Sequence, residues 1–297
     1  MTTTSDLEQR AANGEPFTAD DAAHVLSSPD LPGVGHLGEI ARKRATGDVI
    51  TFNRVIEADG AAFPASAGEA GEVRIGGPIA SLDEAVAAVT RGRAFAGTLP
   101  LSAFSAADLF ELSGRDLGAL ESLARRLRAA GLDAVAACPL DAFGSDDEAA
   151  AVVRAIEAGG LAVWRLTIDR APISERLRLT ARAAVVASAA PFVRAFAPLP
   201  RQDPADQPAT GYDDVRTVAV ARLMCPSIPY IQVDWPLYGP KLAQVALLYG
   251  ANDVDGVAVF DTAGLGARRS PAEDIRRQIR AAAAEPVERN GRFERLS

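Results

Sequence analysis

The chain has 297 residues, of which 48% are hydrophobic and 24% are charged. This composition suits one large globular domain or two small ones. The 31 basic residues stand against 39 acidic ones, for a net charge of −8. That balance argues against generic nucleic-acid binding and against docking on an anionic membrane, because both need a basic face. No apolar run reaches the roughly 18 residues of a membrane span, and the polar start MTTTSDLEQR lacks a signal peptide's hydrophobic region. We therefore expect a cytoplasmic protein.

Cysteine and histidine are scarce, which restricts metal chemistry. The chain holds Cys138, Cys225, His24 and His36 and no others. A four-ligand zinc site would need all four, and a cluster held by three cysteines of this chain cannot form. Both histidines precede residue 48, so a Ser-His-Asp or Cys-His nucleophile is poorly supported. The sequence predicts no metal site and identifies no catalytic residue.

Residues 1–47 are largely polar, and we predict that they form an N-terminal helical extension. Thr18-Ala19-Asp20-Asp21 begins one helix with a capping residue and early acids. Gly35–Arg44 forms a second helix with a basic end.

After residue 48, short apolar runs typical of strands buried on both faces alternate with helical segments. The eight predicted strands are Val49–Val55, Glu72–Gly76, Ala94–Leu99, Ala134–Pro139, Leu161–Ile168, Phe192–Pro198, Tyr230–Trp235 and Val257–Phe260. The segments between the strands contain helix-capping residues, such as Ser81 at the start of one helix and Gly131 at the end of another. The alternation predicts an α/β fold, a TIM-like (β/α)8 barrel over residues 48–297.

The first unit of this barrel departs from the pattern. Glu57–Gly71 reads EADGAAFPASAGEAG and has no helical face. A parallel crossover usually contains a helix. We therefore predict that the first crossover helix is missing.

Residues that follow the strands of such a barrel face its mouth. The candidate ligand-binding residues are Asn53, Arg54, Gly76, Gly77, Asp141, Asp169, Asp234, Trp235 and Asp261. The four aspartates could hold a hard cation or do acid–base work, or they could cap helices and form turns. The adjacent glycines permit close approach of backbone to a ligand or form a plain turn.

Two further candidates have competing interpretations. Trp235, with Tyr238, could stack on a planar ligand or plug the mouth. Arg54 could pair with a substrate carboxylate, or it could bond to strand-end carbonyls or to Asp59.

Several segments together resemble a known family. Gly211–Leu223 reads GYDDVRTVAVARL, Ile231–Gly256 reads IQVDWPLYGPKLAQVALLYGANDVDG, and Glu285-Pro286-Val287-Glu288-Arg289 follows near the end. This pattern resembles aminofutalosine synthase and dehypoxanthine futalosine cyclase, radical S-adenosylmethionine enzymes of the futalosine route to menaquinone. Upstream, Ser102–Ala106 and Arg128–Asp133 are similar to family segments. The resemblance implies a radical-SAM-like barrel and extends over nearly the whole chain.

The family's reactive parts are altered in this sequence. Its Cys-x3-Cys-x2-Cys motif, which holds a four-iron cluster, would fall in Glu57–Gly71, which contains no cysteine. Gly76-Gly77 matches the glycine pair that receives the methionine amine of the cofactor. Asp141 stands where the family has an acidic ligand-binding residue, and Asp261 partly replaces a Glu-Glu pair. The resemblance therefore implies no iron–sulfur cluster in this chain and leaves S-adenosylmethionine or nucleoside binding open.

Three functions stay open at this stage. The first is an accessory subunit that pairs with a cysteine-bearing radical SAM homologue of the same pathway. The second is an enzyme with non-redox chemistry on a nucleoside or an aromatic acid, and the third is a binder of such a ligand. We expect neither nucleic acid nor membrane as a partner.

Overall fold

The computed structural model describes residues 4–202, 209–260 and 272–296. Three helices precede the first strand: α1 (Thr4–Asn13), α2 (Ala19–Ser27) and α3 (Leu31–Thr46). Thr18 and Asp21 form a reciprocal capping box at the start of α2, as the sequence pattern predicts. Both histidines lie in these helices, His24 in α2 and His36 in α3.

Strands and helices then alternate. The strands are β1 (Val49–Ala58), β2 (Glu72–Ile75), β3 (Leu101–Ser105), β4 (Ala134–Pro139), β5 (Ala162–Val163), β6 (Arg165–Thr167), β7 (Ala195–Phe196), β8 (Tyr230–Asp234), β9 (Asp253–Ala258) and β10 (Glu285–Arg289). The helices are α4 (Leu82–Ala96), α5 (Ala106–Leu112), α6 (Leu117–Ala129), α7 (Asp146–Ala158), α8 (Ile173–Ala189), α9 (Gly211–Met224), α10 (Trp235–Leu248) and α11 (Ala272–Ala281).

The strands form a closed parallel barrel. They pair in the order β1-β2-β3-β4-β6-β7-β8-β9, and β9 pairs with β1 to close the ring. β5 and β6 make one interrupted strand beside β4, with Trp164 at the break. β10 pairs with the first half of β1, from Val49 against Glu285 to Asn53 against Arg289. The predicted (β/α)8 barrel is confirmed.

Two predicted strands are wrong in position. Ala94–Leu99 is mostly the last turn of α4, and the strand begins only at Leu101. A short apolar run does not distinguish a buried helix end from a strand, and Gly97, with φ of +58°, ends the helix. The last predicted strand, Val257–Phe260, overlaps only the last two residues of β9, whose first half contains Asp253 and Asp255. Acidic residues are uncommon in buried strands, so the sequence pattern does not indicate the first half of β9 as a strand.

The first crossover has no helix, as predicted. Residues 59–71 instead form an irregular segment, hereafter the crossover segment, that is anchored along its length. Phe63 stacks on Phe95 of α4 with 4.9 Å between ring centroids. Arg91 Nε donates to the Gly60 carbonyl at 2.9 Å, and Gly71 N–H donates to the Arg54 carbonyl at 2.8 Å. The segment therefore packs against its neighbours as part of the fold.

The apolar core lies between the barrel and its helices, with side chains such as Phe52, Leu109, Leu127 and Phe196 fully enclosed. After β10 the chain turns, and Phe293 stacks on Tyr230 at the start of β8 with centroids 5.1 Å apart. This turn covers the end of the barrel at which the strands begin. No helix within residues 4–202, 209–260 and 272–296 is both long and apolar enough to cross a membrane.

Candidate functional site

The inside of the barrel is charged. Glu72 and Arg74 from β2, Arg165 from β6, Asp253 and Asp255 from β9, and Arg289 from β10 are all buried there. Their inward orientation follows from the two-residue period of strands, which sends alternate side chains to the same face. Three guanidinium groups meet three carboxylates, so the charges of this set balance. We call these six residues the axial ion network.

Short hydrogen bonds join the arginines of the axial ion network to its carboxylates. Arg289 donates to both oxygens of Asp253 at 2.6 Å each. Arg74 donates to Glu72 at 3.0 and 3.1 Å. Arg165 donates to Asp255 and, through Nε, to the Ala136 carbonyl at 3.1 Å. Such pairing is what allows charges to remain in a desolvated interior.

The electrostatics of the axial ion network favour the ionised forms of Asp255 and Glu72. Burial alone would raise the pKa of Asp255, but the adjacent guanidinium groups of Arg74, Arg165 and Arg289 outweigh it, and the pKa lies well below its usual range. The same balance lowers the pKa of Glu72, chiefly through Arg74. The network is therefore a fixed array of charges at neutral pH.

Above the network lies an open cavity of about 720 Å³ at the mouth of the barrel. Arg74 and Arg165 line both this mouth cavity and a small void of about 10 Å³ inside the barrel, so their side chains form the cavity floor. Its walls include Glu57, Phe104, Ser105, Asp108, Asp169 and Arg201. The volume falls within the range of small-molecule sites.

The glycine pair, Gly76 and Gly77, lines this cavity. A Cβ built on Gly76 or on Gly77 meets no atom within 4 Å, so side chains here would project into open space. Gly77 also has φ of +96°, which favours glycine. The pair leaves bare backbone at the cavity wall, where a ligand can approach it closely.

Asp169 supplies a titratable carboxyl at the mouth cavity. Asp234 lies outside that cavity, beside a void of about 10 Å³, and its carboxylate accepts the N–H of Leu237 at the start of α10. Desolvation and the neighbouring Asp141 carboxylate raise the pKa of Asp169, and Arg201 opposes the rise. Asp234 is buried, and burial with the repulsion of Asp255 raises its pKa to about 6. A carboxyl that titrates near neutral pH can exchange a proton with a bound molecule.

Asn53 and Arg54 do not reach the mouth cavity. Asn53 is fully buried inside the barrel, and its Nδ2 donates to Glu72 at 2.7 Å. Arg54, the next residue along β1, pairs instead with Glu288 at 2.6 Å and Glu69 at 2.5 Å. Both partners are carboxylates of the protein itself, and Asp59, the predicted alternative, is not one of them. Arg54 ties the crossover segment to β10.

Asp141 and Trp235 are also engaged by the protein itself. The Asp141 carboxylate accepts hydrogen bonds from the backbone N–H groups of Asp169 and Arg170 at 2.8 and 2.7 Å. Trp235 is fully buried in the first turn of α10, so its ring is not available to stack on a ligand at the mouth. Tyr238, the other aromatic of this junction, donates to the Pro200 carbonyl. Asp261 lies outside the described residues.

The sequence prediction missed the axial ion network, apart from naming the strands that carry it. One signal was available: Glu72, Arg74, Arg165, Asp253 and Asp255 are charged residues inside segments that otherwise read as buried strands. Charges are rarely buried unless they are paired. Their presence in barrel strands therefore indicates an internal ion network.

Residues 189–297 match the family model described as the CofH/MqnC C-terminal region. The C-terminal third of the chain is therefore similar to the CofH/MqnC family. The aminodeoxyfutalosine synthase of Streptomyces coelicolor is 40% identical over 96 residues, which cover 30% of this chain and 25% of that protein. The 5-amino-6-(D-ribitylamino)uracil–L-tyrosine 4-hydroxyphenyl transferase of Methanothermobacter thermautotrophicus is 43% identical over 93 residues, 29% of this chain and 25% of the relative. The predicted kinship with aminofutalosine synthase is confirmed, and the match spans about a quarter of each of these relatives.

Solved structures resemble this chain over nearly its whole length. Methylornithine synthase (PylB) superposes with a TM-score of 0.69 at 15% identity, covering 94% of this chain and 97% of that one. The [FeFe]-hydrogenase maturase HydG gives a TM-score of 0.67 at 11% identity, covering 96% of this chain and 75% of HydG. At such identities the likeness establishes the fold alone, a closed barrel of parallel strands surrounded by helices.

The residues present do not fit the four-iron cluster that the resemblance implies for radical members. Cys138 in β4 and Cys225 at the end of α9 are both fully buried. Burial raises the pKa of each thiol to about 12, so both are protonated, whereas a cluster binds thiolates. Within the described ranges, no group of three His, Cys, Asp or Glu side chains is placed to hold a metal ion.

Proposed function

We propose that this chain is a non-radical accessory subunit that pairs with a cysteine-bearing radical-SAM homologue in futalosine-pathway menaquinone biosynthesis. The crossover segment carries the proposal. It occupies the position at which the resembled enzymes place their cluster cysteines, and it has become a packed structural element. Phe63 is stacked on Phe95, and Glu69 is paired with Arg54.

A barrel of this kind is suited to such a role. Related folds present related surfaces, so a homologue that has lost its own chemistry can still pair with an active relative. An exposed aromatic marks one candidate contact. Tyr212, in the first turn of α9, exposes 63% of its surface. Aromatic residues on a surface are enriched at protein–protein contacts.

The test is an affinity purification of the tagged protein from its native cells without oxygen. Iron and co-purified proteins are quantified together. We expect a cysteine-bearing homologue in fixed ratio, with iron in proportion to that partner. Tyr212→Ser should reduce recovery of the partner. Leu117→Ser on α6, which replaces another exposed apolar residue (41% exposed), serves as the matched control.

Recovery of an iron-free chain without any partner contradicts the accessory role. If Tyr212→Ser and Leu117→Ser have equal effects on recovery, the α9 surface is not the contact. Circular dichroism of each variant separates loss of the contact from loss of the fold.

A second candidate is favoured by the mouth cavity. An open space of about 720 Å³, with bare backbone at Gly76-Gly77 and the carboxyl of Asp169, whose pKa is raised by burial, suits a binder, or a non-redox enzyme, acting on a nucleoside or an aromatic acid. S-adenosylmethionine belongs to the same ligand class through its nucleoside. Calorimetric titration with adenosine, S-adenosylmethionine and benzoate tests this candidate. The candidate is supported if one of these compounds binds and both Gly76→Ala and Arg201→Gln weaken that binding. If none of the three produces heat of binding, these compounds are excluded as ligands of the mouth cavity.

A further inference from the structure

A second cavity lies at the opposite end of the barrel, where the strands begin. We call it the lower cavity. It has a volume of about 340 Å³ and opens on the surface beside the starts of β4 and β5. The residues used below all line it: Arg128, Asp133, Glu157, Trp164, Phe192 and Arg292. None of them belongs to the mouth cavity.

The lower cavity presents two guanidinium groups, those of Arg128 and Arg292, in a protein whose net charge is −8. Asp133 is the shared partner of three guanidinium groups: Arg93 at 2.6 Å, Arg128 at 3.2 Å and Arg292 at 3.1 Å. Its carboxylate also accepts the N–H of Leu101 at 2.9 Å. Arg93 does not line the cavity, so the charged lining consists of Arg128 and Arg292 against Asp133 and Glu157, a carboxyl that is only partly ionised near neutral pH. Arg128 and Arg292 remain 51% and 37% exposed in their side chains, so both can reach an anion.

Glu157 adds a polar atom that the protein leaves without a partner. Its Oε1 is buried, and no described residue is hydrogen-bonded to it. Burial raises the pKa of this carboxyl to about 7, although the backbone N–H of Phe192 opposes the rise. A substantial fraction of Glu157 is therefore neutral at physiological pH, and its O–H can donate. A buried polar atom without a partner costs free energy unless something else completes its hydrogen bonding.

Two aromatic rings form the apolar part of the wall. Phe192 exposes 51% of its surface, which is unusual for so large an apolar side chain. Trp164 lines the lower cavity and also the small void inside the barrel. The indole therefore separates the lower cavity from the axial ion network. Exposed aromatic faces favour a flat partner, because stacking buries both surfaces.

We infer that the lower cavity binds a small molecule that combines a planar ring with an anionic group. The ring lies against Trp164 and Phe192, and the anion is bound by Arg128 and Arg292. Where the ring also carries a polar atom, that atom can complete the hydrogen bonding of Glu157. This inference concerns the end of the barrel opposite the mouth. It is independent of the accessory function proposed above.

The probe for this inference is naphthalene-2-sulfonate, a planar ring with a charge that does not titrate between pH 5 and 9. Isothermal titration calorimetry of the full chain should give one site. Naphthalene-2-sulfonamide, which has the same shape without the charge, and sulfate, which has no ring, should each bind at least ~10-fold more weakly, the scale of losing one charge-assisted contact. The double variant Arg128→Gln/Arg292→Gln should lower the affinity for naphthalene-2-sulfonate by at least ~10-fold.

Two control variants test whether naphthalene-2-sulfonate binds in the lower cavity. Arg125→Gln removes an exposed guanidinium from the same helix as Arg128, but outside the lower cavity, and should leave the affinity unchanged. Arg201→Gln, at the mouth, should also leave it unchanged. The inference is overturned by absence of binding, by equal affinity for the neutral sulfonamide, by insensitivity to Arg128→Gln/Arg292→Gln, or by a loss confined to Arg201→Gln.

Discussion

Arg74 and Asp255, 181 positions apart in the chain, bind each other through two hydrogen bonds across the barrel interior. The Nη1 and Nη2 atoms of Arg74 lie 2.9 and 3.2 Å from the two Asp255 oxygens. Arg165 donates to the same carboxylate. Two guanidinium groups thus depend on one acid from which water is excluded. Removal of either partner alone would leave a buried charge without compensation.

Asp255→Asn should therefore destabilise the fold strongly. The amide retains the shape of the side chain but leaves Arg74 and Arg165 without their shared negative charge, and we expect the free energy of unfolding to fall by about 3–5 kcal/mol. Urea unfolding followed by circular dichroism measures the change. Arg115→Gln breaks an exposed ion pair with Glu111 and should cost less than about 1 kcal/mol. Comparable losses in the two variants would mean that the axial ion network does not stabilise the barrel.

The axial ion network should also make the protein sensitive to acid. The pKa values of Asp255 and Glu72 are lowered in the folded state, so only the unfolded chain takes up these protons as the pH falls through the ordinary range near 4. Stability from these groups is fully present above about pH 5 and is lost below it. Urea unfolding at pH 6 and pH 4 should show a larger loss for the native chain than for Asp255→Asn. Equal losses would assign the acid sensitivity to other groups.

Glu157 should act in the opposite direction. Its pKa is raised to about 7, so between about pH 5 and 7 the unfolded chain releases a proton that the folded chain retains. This carboxyl therefore reduces stability as the pH rises through that window. Glu157→Gln cannot ionise, and its stability relative to the native chain should increase by about 2–3 kcal/mol from pH 5 to pH 8. Glu84→Gln, on the exposed start of α4, is the control and should show no such change. A constant difference between Glu157→Gln and the native chain would contradict the raised pKa.

Particular residues explain how far the sequence could predict this molecule. Alternating apolar runs and helix caps sufficed for the barrel, and the missing crossover helix was evident from the Ala, Gly and Pro content of residues 59–71. Arg54 was assigned to the mouth because it follows an apolar run. In fact β1 continues to Ala58, and the alternation of a strand sends Asn53 inward and Arg54 toward Glu288.

Other parts of the site could not be predicted because they depend on contacts between distant segments. Nothing near Asp141 in the chain indicates that its carboxylate binds the backbone of residues 169 and 170. Similarly, the pairing of Arg74 with Asp255 requires the closed barrel, since β2 and β9 flank β1 on opposite sides. Local patterns specify elements, whereas a site made from several strand ends is specified by register and closure.

The crossover segment offers a test of its structural role. Phe63→Ala removes the ring stacked on Phe95 at 4.9 Å and should lower the free energy of unfolding by about 1–3 kcal/mol. Hydrogen exchange of residues 59–71 should become faster in this variant. Ser66→Ala, at an exposed position in the same segment, should leave exchange unchanged. Rapid exchange of residues 59–71 already in the native chain would mean that this segment is a mobile lid.

The two mouth glycines allow the shape of the cavity to be tested separately from stability. Gly76→Ala meets open space and has no positive φ to oppose it, so the free energy of unfolding should change by less than about 0.5 kcal/mol. Gly77→Ala places a Cβ at φ of +96° and should cost about 1–2 kcal/mol. Both methyl groups project toward the same cavity, so ligand binding at the mouth should weaken in both variants while only Gly77→Ala loses stability. Urea unfolding and calorimetric titration on the same samples measure the two effects, and unaltered ligand affinity in Gly76→Ala would remove the glycine pair from the binding surface.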